Sequence, residues 1–175
     1  GLSGTPGAFT EEVVRATLRN TPRPIVFPLS NPTSSAEATP ADVLAWTDGA
    51  ALVAAGSPFA PVTVGGSTRS IPQGNNAFVF PGLGAGAIAC GASRITDAMV
   101  MAAARAVADY TAAHHPDALY PPVSSLSQVS RVVSVAVIEA AVRDGVVDAA
   151  STSVTPAELA AAHAWQPRYL PVVRR

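Results

Sequence analysis

Two adjacent asparagines, Asn75 and Asn76, stand directly before a long apolar run in the stretch IPQGNNAFVFPGLGAGA. Carboxamides both donate and accept hydrogen bonds without adding charge, so they suit a carboxylate or hydroxyl ligand. The apolar run predicts a helix, whose N-terminus offers free N–H groups and a positive dipole to an anion. The alternative is that one asparagine only caps the helix. Because a cap needs one asparagine and not two, the pair favours ligand binding.

A third asparagine, Asn31, follows the short apolar run PIVFPLS and precedes Pro32. Such a run is typical of a buried parallel strand, and ligands of open parallel sheets bind beyond the carboxyl ends of the strands. Pro32 restricts Asn31 to extended conformations and so limits where its side chain points. An Asx turn that ends the strand explains the same residues equally well.

The glycines after the asparagine pair, Gly82-x-Gly84-x-x-Ala87, fit the fingerprint of a dinucleotide-binding turn. That fingerprint also needs an acidic residue about 20 positions further on, at the end of a second strand. The next acid is Asp97, which is too close, and no strand is predicted before it. We interpret these glycines as small residues that let a buried helix pack closely on a neighbour.

The other reactive residue types predict neither a catalytic nor a metal centre. The three histidines have no cysteine or acid at ligand spacing, and Cys90 lies among small apolar residues, where a free thiol behaves as an inert hydrophobe. All 11 basic residues are arginine, so no lysine of this chain can act as a general base.

The composition is that of a globular domain with a small appendage. Of 175 residues, 49% are hydrophobic and 13% charged, and the net charge of −1 gives no reason to expect nucleic acid or an anionic membrane as a partner. The N-terminus has no signal-type segment, and the apolar run at 77–92 is shorter than the roughly 20 residues of a membrane span. We therefore expect a cytoplasmic protein.

The predicted elements divide the chain into two parts. From Gly1 to Ser57 they alternate strand, helix, strand, helix, strand, which indicates a parallel sheet with crossover helices. Gly65-Gly66 predicts a hairpin turn, and the chain is mainly helical from Asn75 onward, with a capping box at Thr155-x-x-Glu158. The fold class is therefore α/β: a partial, Rossmann-like parallel sheet followed by an α-helical C-terminal tail.

Several motifs together resemble the C-terminal part of malic enzymes. These are GLSG with FTEEVVRA, RPIVFPLSNPTSSAE, AAGSPFAPV and QGNNAFVFPGLG, in the family's order and at similar spacing. LYPPVSSL and WQPRYLPV resemble the tail of the large-subunit members. The resemblance covers almost the whole chain. It implies that residues 1–92 form the second half of the NAD(P)-binding domain and that 93–175 form a helical extension packing on it.

The resemblance implies an oxidative decarboxylase that converts malate to pyruvate and CO2, with NAD or NADP as the hydride acceptor and Mg²⁺ or Mn²⁺ as a Lewis acid. Asn31 falls on an asparagine that contacts malate and the nicotinamide end of the cofactor. Asn75 and Asn76 fall on substrate asparagines, with Asn75 the better candidate for the malate carboxylate. Ser3 and Gly4 fall on the turn beside the cofactor.

The family's metal ligands, its catalytic tyrosine and lysine and its first GxGxxG turn all lie upstream of the region that this chain resembles. We therefore expect no catalytic residue and no metal ligand in the chain, and no malate turnover by the chain alone. We also expect self-association, or pairing with the missing N-terminal portion, within a homo-oligomeric enzyme. Two alternatives stay open: a non-catalytic binding or assembly module, and part of a malolactic enzyme, which releases lactate.

Overall fold

The computed structural model describes residues 1–147 and 153–164. These form two compact units. The first comprises Gly1–Phe78 with Val107–Ser127, and the second comprises Val79–Ala106 with the described residues from Gln128 onward. The motif WQPRYLPV lies outside the described residues, and the predicted boundary at residue 92 stays a prediction.

The first unit is built on a small parallel sheet. Strands β1 (Ile25–Val26) and β2 (Leu52–Val53) pair in parallel. Helices α1 (Glu11–Thr17) and α2 (Pro40–Trp46) begin after the threonine caps Thr10 and Thr39, whose side chains accept from backbone N–H groups of the first turn. The two helices and the two strands share one core, which contains Val14, Val26, Val43, Leu44 and Val53. The predicted α/β fold class is confirmed, although the strands are shorter than expected.

Extended backbone lengthens this sheet beyond its two formal strands. The Leu29 N–H donates to the Gly1 carbonyl (3.0 Å), and the Gly56 N–H donates to the Pro28 carbonyl (3.2 Å). On the far side of β2, Ala55 forms a parallel bridge with Gln73. Proline has no N–H to donate, so Pro24 and Pro28 interrupt the ladder of β1 and leave its formal strand two residues long.

A separate hairpin follows β2. Strands β3 (Val62–Val64) and β4 (Ser67–Arg69) pair antiparallel around Gly65 and Gly66. Both glycines have positive φ, 57° and 77°, as a two-residue hairpin turn requires, and the predicted turn is confirmed.

The α-helix after the asparagine pair begins later than predicted. Asn76–Phe78 form a 3-10 turn, and α3 (Phe80–Ala89) starts only at Phe80, with Pro81 in its first turn, where the missing N–H costs nothing. The asparagines therefore do not open the α-helix, and the expectation that its N-terminal dipole serves their ligand is wrong in that form.

The remaining described helices follow the predicted pattern. They are α4 (Asp97–His114), α5 (Leu126–Arg143) and α6 (Pro156–Ala162), with a 3-10 turn at Val123–Ser125. The capping box of α6 is present. Within the described residues, the stretch Val123–Arg143 is long and apolar enough to span a membrane, but the valines of its buried stripe give it equally the character of a core helix.

Candidate functional site at the carboxyl edge of the sheet

Four extended segments of the first unit end side by side, and each ends in polar residues. The segment at Gly1 leads into Ser3 and Gly4, β1 into Ser30 and Asn31, β2 into Gly56 and Ser57, and the bridge at Gln73 into Asn75. We call these residues the carboxyl edge. An open parallel sheet binds its ligands at this position because the strand ends bring side chains from distant parts of the sequence together.

Asn31 is anchored at this edge through its side-chain oxygen. The Ser57 hydroxyl donates to Asn31 Oδ1 at 2.6 Å, and Asn31 itself is exposed. The Asn31–Pro32 peptide bond is cis. No other described residue hydrogen-bonds to the amide nitrogen Nδ2, so this group can donate to a ligand.

Asn75 meets the same loop from the other side. Its Nδ2 donates to the Gly56 carbonyl at 3.4 Å, and Gln73 Nε2 donates to that carbonyl at 3.0 Å. Asn75 Oδ1 accepts from the Ala77 N–H at 2.9 Å, which caps the 3-10 turn. The capping role that the alternative interpretation assigned to one asparagine of the pair is therefore present at Asn75. Because the longer bond to Gly56 leaves donor capacity on Nδ2, capping does not exclude a second contact.

Gly56 is the residue on which the two asparagines converge. A Cβ atom at this position would lie 2.1 Å from the Leu29 carbonyl oxygen and 3.1 Å from Asn31 Oδ1. Only glycine therefore lets β2 approach β1 closely enough for Ser57 to reach Asn31. Asn76 is exposed and takes no part in the described hydrogen-bond network. The structure thus joins Asn31 and Asn75, but not Asn76, through Gly56 and Ser57.

Ser3 and Gly4 form an exposed turn that is tied to the end of β1. The Ser3 N–H and hydroxyl donate to Glu37 Oε1 at 2.7 Å and 2.9 Å, and the Gly4 N–H donates to the Ser30 hydroxyl oxygen at 2.9 Å. Gly4 has a φ of +66°, which favours glycine, and no atom of residues 1–147 or 153–164 lies within 4 Å of where its Cβ would be. The backbone of this turn is therefore open to a ligand.

Glu37 is the fully buried acid beneath this turn. The Ser30 hydroxyl donates to Glu37 Oε1 at 2.5 Å, and the Ser30 N–H lies 3.4 Å from Oε2. Burial alone would raise the pKa of the Glu37 carboxyl, but the hydrogen bonds from Ser30 and Ser3 together outweigh it and lower the pKa from 4.5 to about 2. Glu37 is therefore ionised at neutral pH.

Sequence reasoning missed several of these residues. Glu37 lies in SSAEATP, where a single acid stands between a strand end and a helix cap and is flanked by small apolar residues. That flanking was the available signal for a buried acid. Ser30, Gly56, Ser57 and Gln73 carry no signal of their own, because their roles depend on which strands become neighbours.

The glycine run of α3 packs against a helix, as interpreted from the sequence. A Cβ on Gly82 would lie 2.6 Å from the Ser130 carbonyl oxygen, and one on Gly86 would lie 2.8 Å from that of Ser134. Both carbonyls belong to α5, and the Ser134 hydroxyl also donates to the Gly82 carbonyl. The pair that packs is Gly82-x-x-x-Gly86, spaced one helical turn apart, whereas a Cβ on Gly84 of the fingerprint would meet no atom of the described residues within 4 Å.

The donor set does not fit a divalent metal. Among residues 1–147 and 153–164, no three His, Cys, Asp or Glu side chains lie together. The Glu37 carboxylate already accepts hydrogen bonds from Ser3 and Ser30. The His114 ring stacks on the Tyr110 ring, with 4.3 Å between the ring centroids. Cys90 is buried, and burial raises the pKa of its thiol, which fits the inert role expected of it.

Comparison with known proteins decides the family. The model of the family described as the malic enzyme NAD-binding domain matches residues 1–142. The chain belongs to the malic enzyme family. An NAD-dependent malic enzyme of Sodalis glossinidius is 54% identical over 172 residues, which make up 97% of this chain and 30% of that protein. One of Shewanella woodyi is 51% identical over 147 residues, 83% of this chain and 26% of the relative.

A solved malic enzyme shares the fold. The crystal structure of the Entamoeba histolytica malic enzyme matches 90% of this chain and 29% of its own, with a TM-score of 0.70 and 27% identity. The resemblance to malic enzymes and the partial α/β fold are both confirmed. The chain spans about 30% of the length of the relatives it matches, so its site residues and the activity of a whole malic enzyme stay proposals.

Proposed function

We propose that this chain is the C-terminal portion of an NAD-dependent malic enzyme, which oxidises and decarboxylates (S)-malate to pyruvate and CO2. The observation that carries the proposal is the convergence of Asn31 and Asn75 on Gly56 and Ser57 at the carboxyl edge. The relatives from Sodalis glossinidius and Shewanella woodyi are both named as NAD-dependent malic enzymes, which supports the reaction and the choice of NAD.

The carboxyl edge has the chemistry of a dicarboxylate site. The side-chain oxygens of Asn31 and Asn75 already accept hydrogen bonds within the chain, from the Ser57 hydroxyl and the Ala77 N–H respectively. Each therefore presents mainly N–H donors to a ligand, and donors suit the carboxylate and hydroxyl oxygens of malate. Asn76, exposed beside Asn75, is proposed as a further substrate contact.

The cofactor would approach the same edge at the Ser3–Gly4 turn and Asn31. The open backbone at Gly4 leaves room for a close approach, and Ser3 is held in place by Glu37. NAD supplies the hydride acceptor, while this chain's residues hold the cofactor and malate next to each other at one sheet edge.

The rest of the chemistry belongs to residues outside this chain. No lysine is available as a base, and the described residues offer no metal cluster. A divalent metal would supply Lewis-acid polarisation of the substrate carbonyl, with ligands from the remainder of the enzyme. The isolated chain is therefore proposed to be inactive.

The test separates substrate binding from capping at Asn75 in the complete enzyme. Asn75→Asp keeps an oxygen to cap the Ala77 N–H but replaces the donor by a negative charge that repels malate. We expect the KM for malate to rise roughly 10- to 100-fold, because a hydrogen bond to a charged group is worth about 1.5–3 kcal/mol. The KM for NAD should change by less than about threefold.

Two further variants complete the experiment. Asn75→Ala should also raise the KM for malate, but less, since it adds no charge. Asn20→Ala removes an exposed asparagine just beyond the end of α1 and should change neither KM. Equal losses for malate and NAD in Asn75→Asp would show that the residue does not bind substrate. Lactate in place of pyruvate as the product would show a malolactic enzyme.

A further inference from the structure

Glu37 is a buried carboxylate that the proposed reaction does not use. Its side chain is completely inaccessible to solvent, and within the described residues it pairs with no cation. A buried charge without a counter-ion is costly unless hydrogen bonds satisfy it. Glu37 accepts four hydrogen bonds, from Ser3 and Ser30, which offset this cost and hold the groups that donate them.

The carboxylate orients two hydroxyl groups. Ser3 Oγ and Ser30 Oγ both donate their protons to Glu37 Oε1. Their lone pairs then face the turn: Ser30 Oγ accepts from the Gly4 N–H at 2.9 Å, and Ser3 Oγ accepts from the Thr5 N–H at 3.1 Å. Because a hydroxyl carries one proton, the acceptor at Oε1 determines that these oxygens receive the backbone N–H groups of the turn.

We propose that Glu37 is a positioning residue for the cofactor, which holds the Ser3–Gly4 turn against the end of β1 through Ser3 and Ser30. This inference rests on the proposed function, since it assigns the turn to NAD. Asn31 is held separately, by the Ser57 hydroxyl. Loss of the Glu37 carboxylate therefore displaces the turn more than it displaces the substrate asparagine.

The test uses three variants of the complete enzyme, assayed for malate-dependent NADH formation. Glu37→Met keeps the length of the side chain and removes the acceptor, so the KM for NAD should rise about tenfold or more, with the KM for malate changed by less than about threefold. Glu37→Gln should restore the KM for NAD to within about threefold of wild type. The reason is that three of the four hydrogen bonds go to Oε1, which the amide oxygen can replace.

Thr47→Val is the control for lost stability. Thr47 is also buried and hydrogen-bonded, to the Val43 carbonyl at 2.8 Å in α2, but it takes no part in the carboxyl edge. It should leave both KM values unchanged. If Glu37→Met does not fold, Ser3→Ala at the exposed turn replaces it, with an expected rise of about threefold in the KM for NAD.

Each outcome decides the inference. A rise in the KM for NAD but not for malate in Glu37→Met, together with rescue by Glu37→Gln, supports the positioning role of Glu37. It is overturned if folded Glu37→Met, or Ser3→Ala in its place, keeps the wild-type KM for NAD. Equal changes for NAD and malate, or a glutamine variant no better than methionine, overturn it as well. A wild-type enzyme without malate-dependent NADH formation refutes the proposed function instead.

Discussion

Alanine substitutions in α3 separate a packing role from a phosphate-binding role for its glycines. A Cβ added at Gly82 would lie 2.6 Å from the Ser130 backbone oxygen and from Val133 Cβ, and a backbone atom cannot turn away. Overpacking of this kind costs about 1–3 kcal/mol, while alanine gains about 1 kcal/mol over glycine inside a helix. We expect Gly82→Ala to lower the free energy of unfolding by about 1 kcal/mol, and by at most about 2 kcal/mol.

Gly84 is the matched control in the same helix. Among the residues that the structure describes, no atom lies within 4 Å of its added Cβ, so we expect only the helix propensity to change, and Gly84→Ala should stabilise the protein by about 0.5–1 kcal/mol. The two variants then differ by roughly 2 kcal/mol. In urea unfolding followed by circular dichroism, this separates their midpoints by about 1 M for an m-value near 2 kcal/mol/M.

Two results would contradict a packing role for Gly82. If Gly84→Ala destabilises the protein as much as Gly82→Ala does, the contact with α5 is not what requires glycine. If Gly84→Ala instead leaves stability unchanged and weakens NAD binding in the complete enzyme, the fingerprint Gly82-x-Gly84-x-x-Ala87 is a phosphate turn after all.

The depressed pKa of Glu37 stabilises the folded protein fully above about pH 5, and this stabilisation is lost as the pH falls towards 2. The shift of the pKa from 4.5 to about 2 corresponds to at most roughly 3 kcal/mol in the free energy of unfolding. Water above the exposed Ser3–Gly4 turn screens the charge and reduces this contribution to about 1–2 kcal/mol. Glu37→Gln should therefore be less stable than wild type at pH 7 but nearly equal at about pH 2 in chemical unfolding, and a difference that does not vary with pH would contradict this. The isolated chain should self-associate or pair with the remainder of the enzyme, because Ile25 is 66% exposed beside an apolar groove of ≈ 310 Å³ along β1; a strictly monomeric chain in analytical ultracentrifugation would contradict it. The same isolated chain should form no NADH from malate, NAD and Mn²⁺, and clear turnover would show that the missing catalytic groups have replacements here.

The sequence predicted the elements of the first unit well because their signals are local. Thr10 and Thr39 cap helices as expected, and Gly65-Gly66 forms the hairpin turn. Each of these features depends on residues a few positions apart, whose preferences for caps and turns depend little on the rest of the fold. The start of α3 was predicted too early. Pro81, a residue favoured in the first turn of a helix, is a stronger local signal for that start than the asparagine pair.

The candidate site was predicted only as far as single residues allow. Asn31 and Asn75 were expected at a strand end and a helix start, and the structure places both at the carboxyl edge. Their common contact with the loop at Gly56 and Ser57 could not be predicted, since it depends on the register between β1 and β2. The role of Glu37 was not predicted, because an isolated acid usually signals a solvated surface and its burial follows from tertiary packing.

The hydrogen bonds of the carboxyl edge also have a consequence for the order of folding. They join residues far apart in sequence: Ser3 to Glu37 over 34 positions, Asn31 to Ser57 over 26, and Gln73 to Gly56 over 17. Closing loops of this size carries an entropic cost that a single hydrogen bond does not recover. We therefore expect these bonds to form together with the packing of the first unit and not before it, so that a nascent chain would contain all of its asparagines before it could bind any ligand.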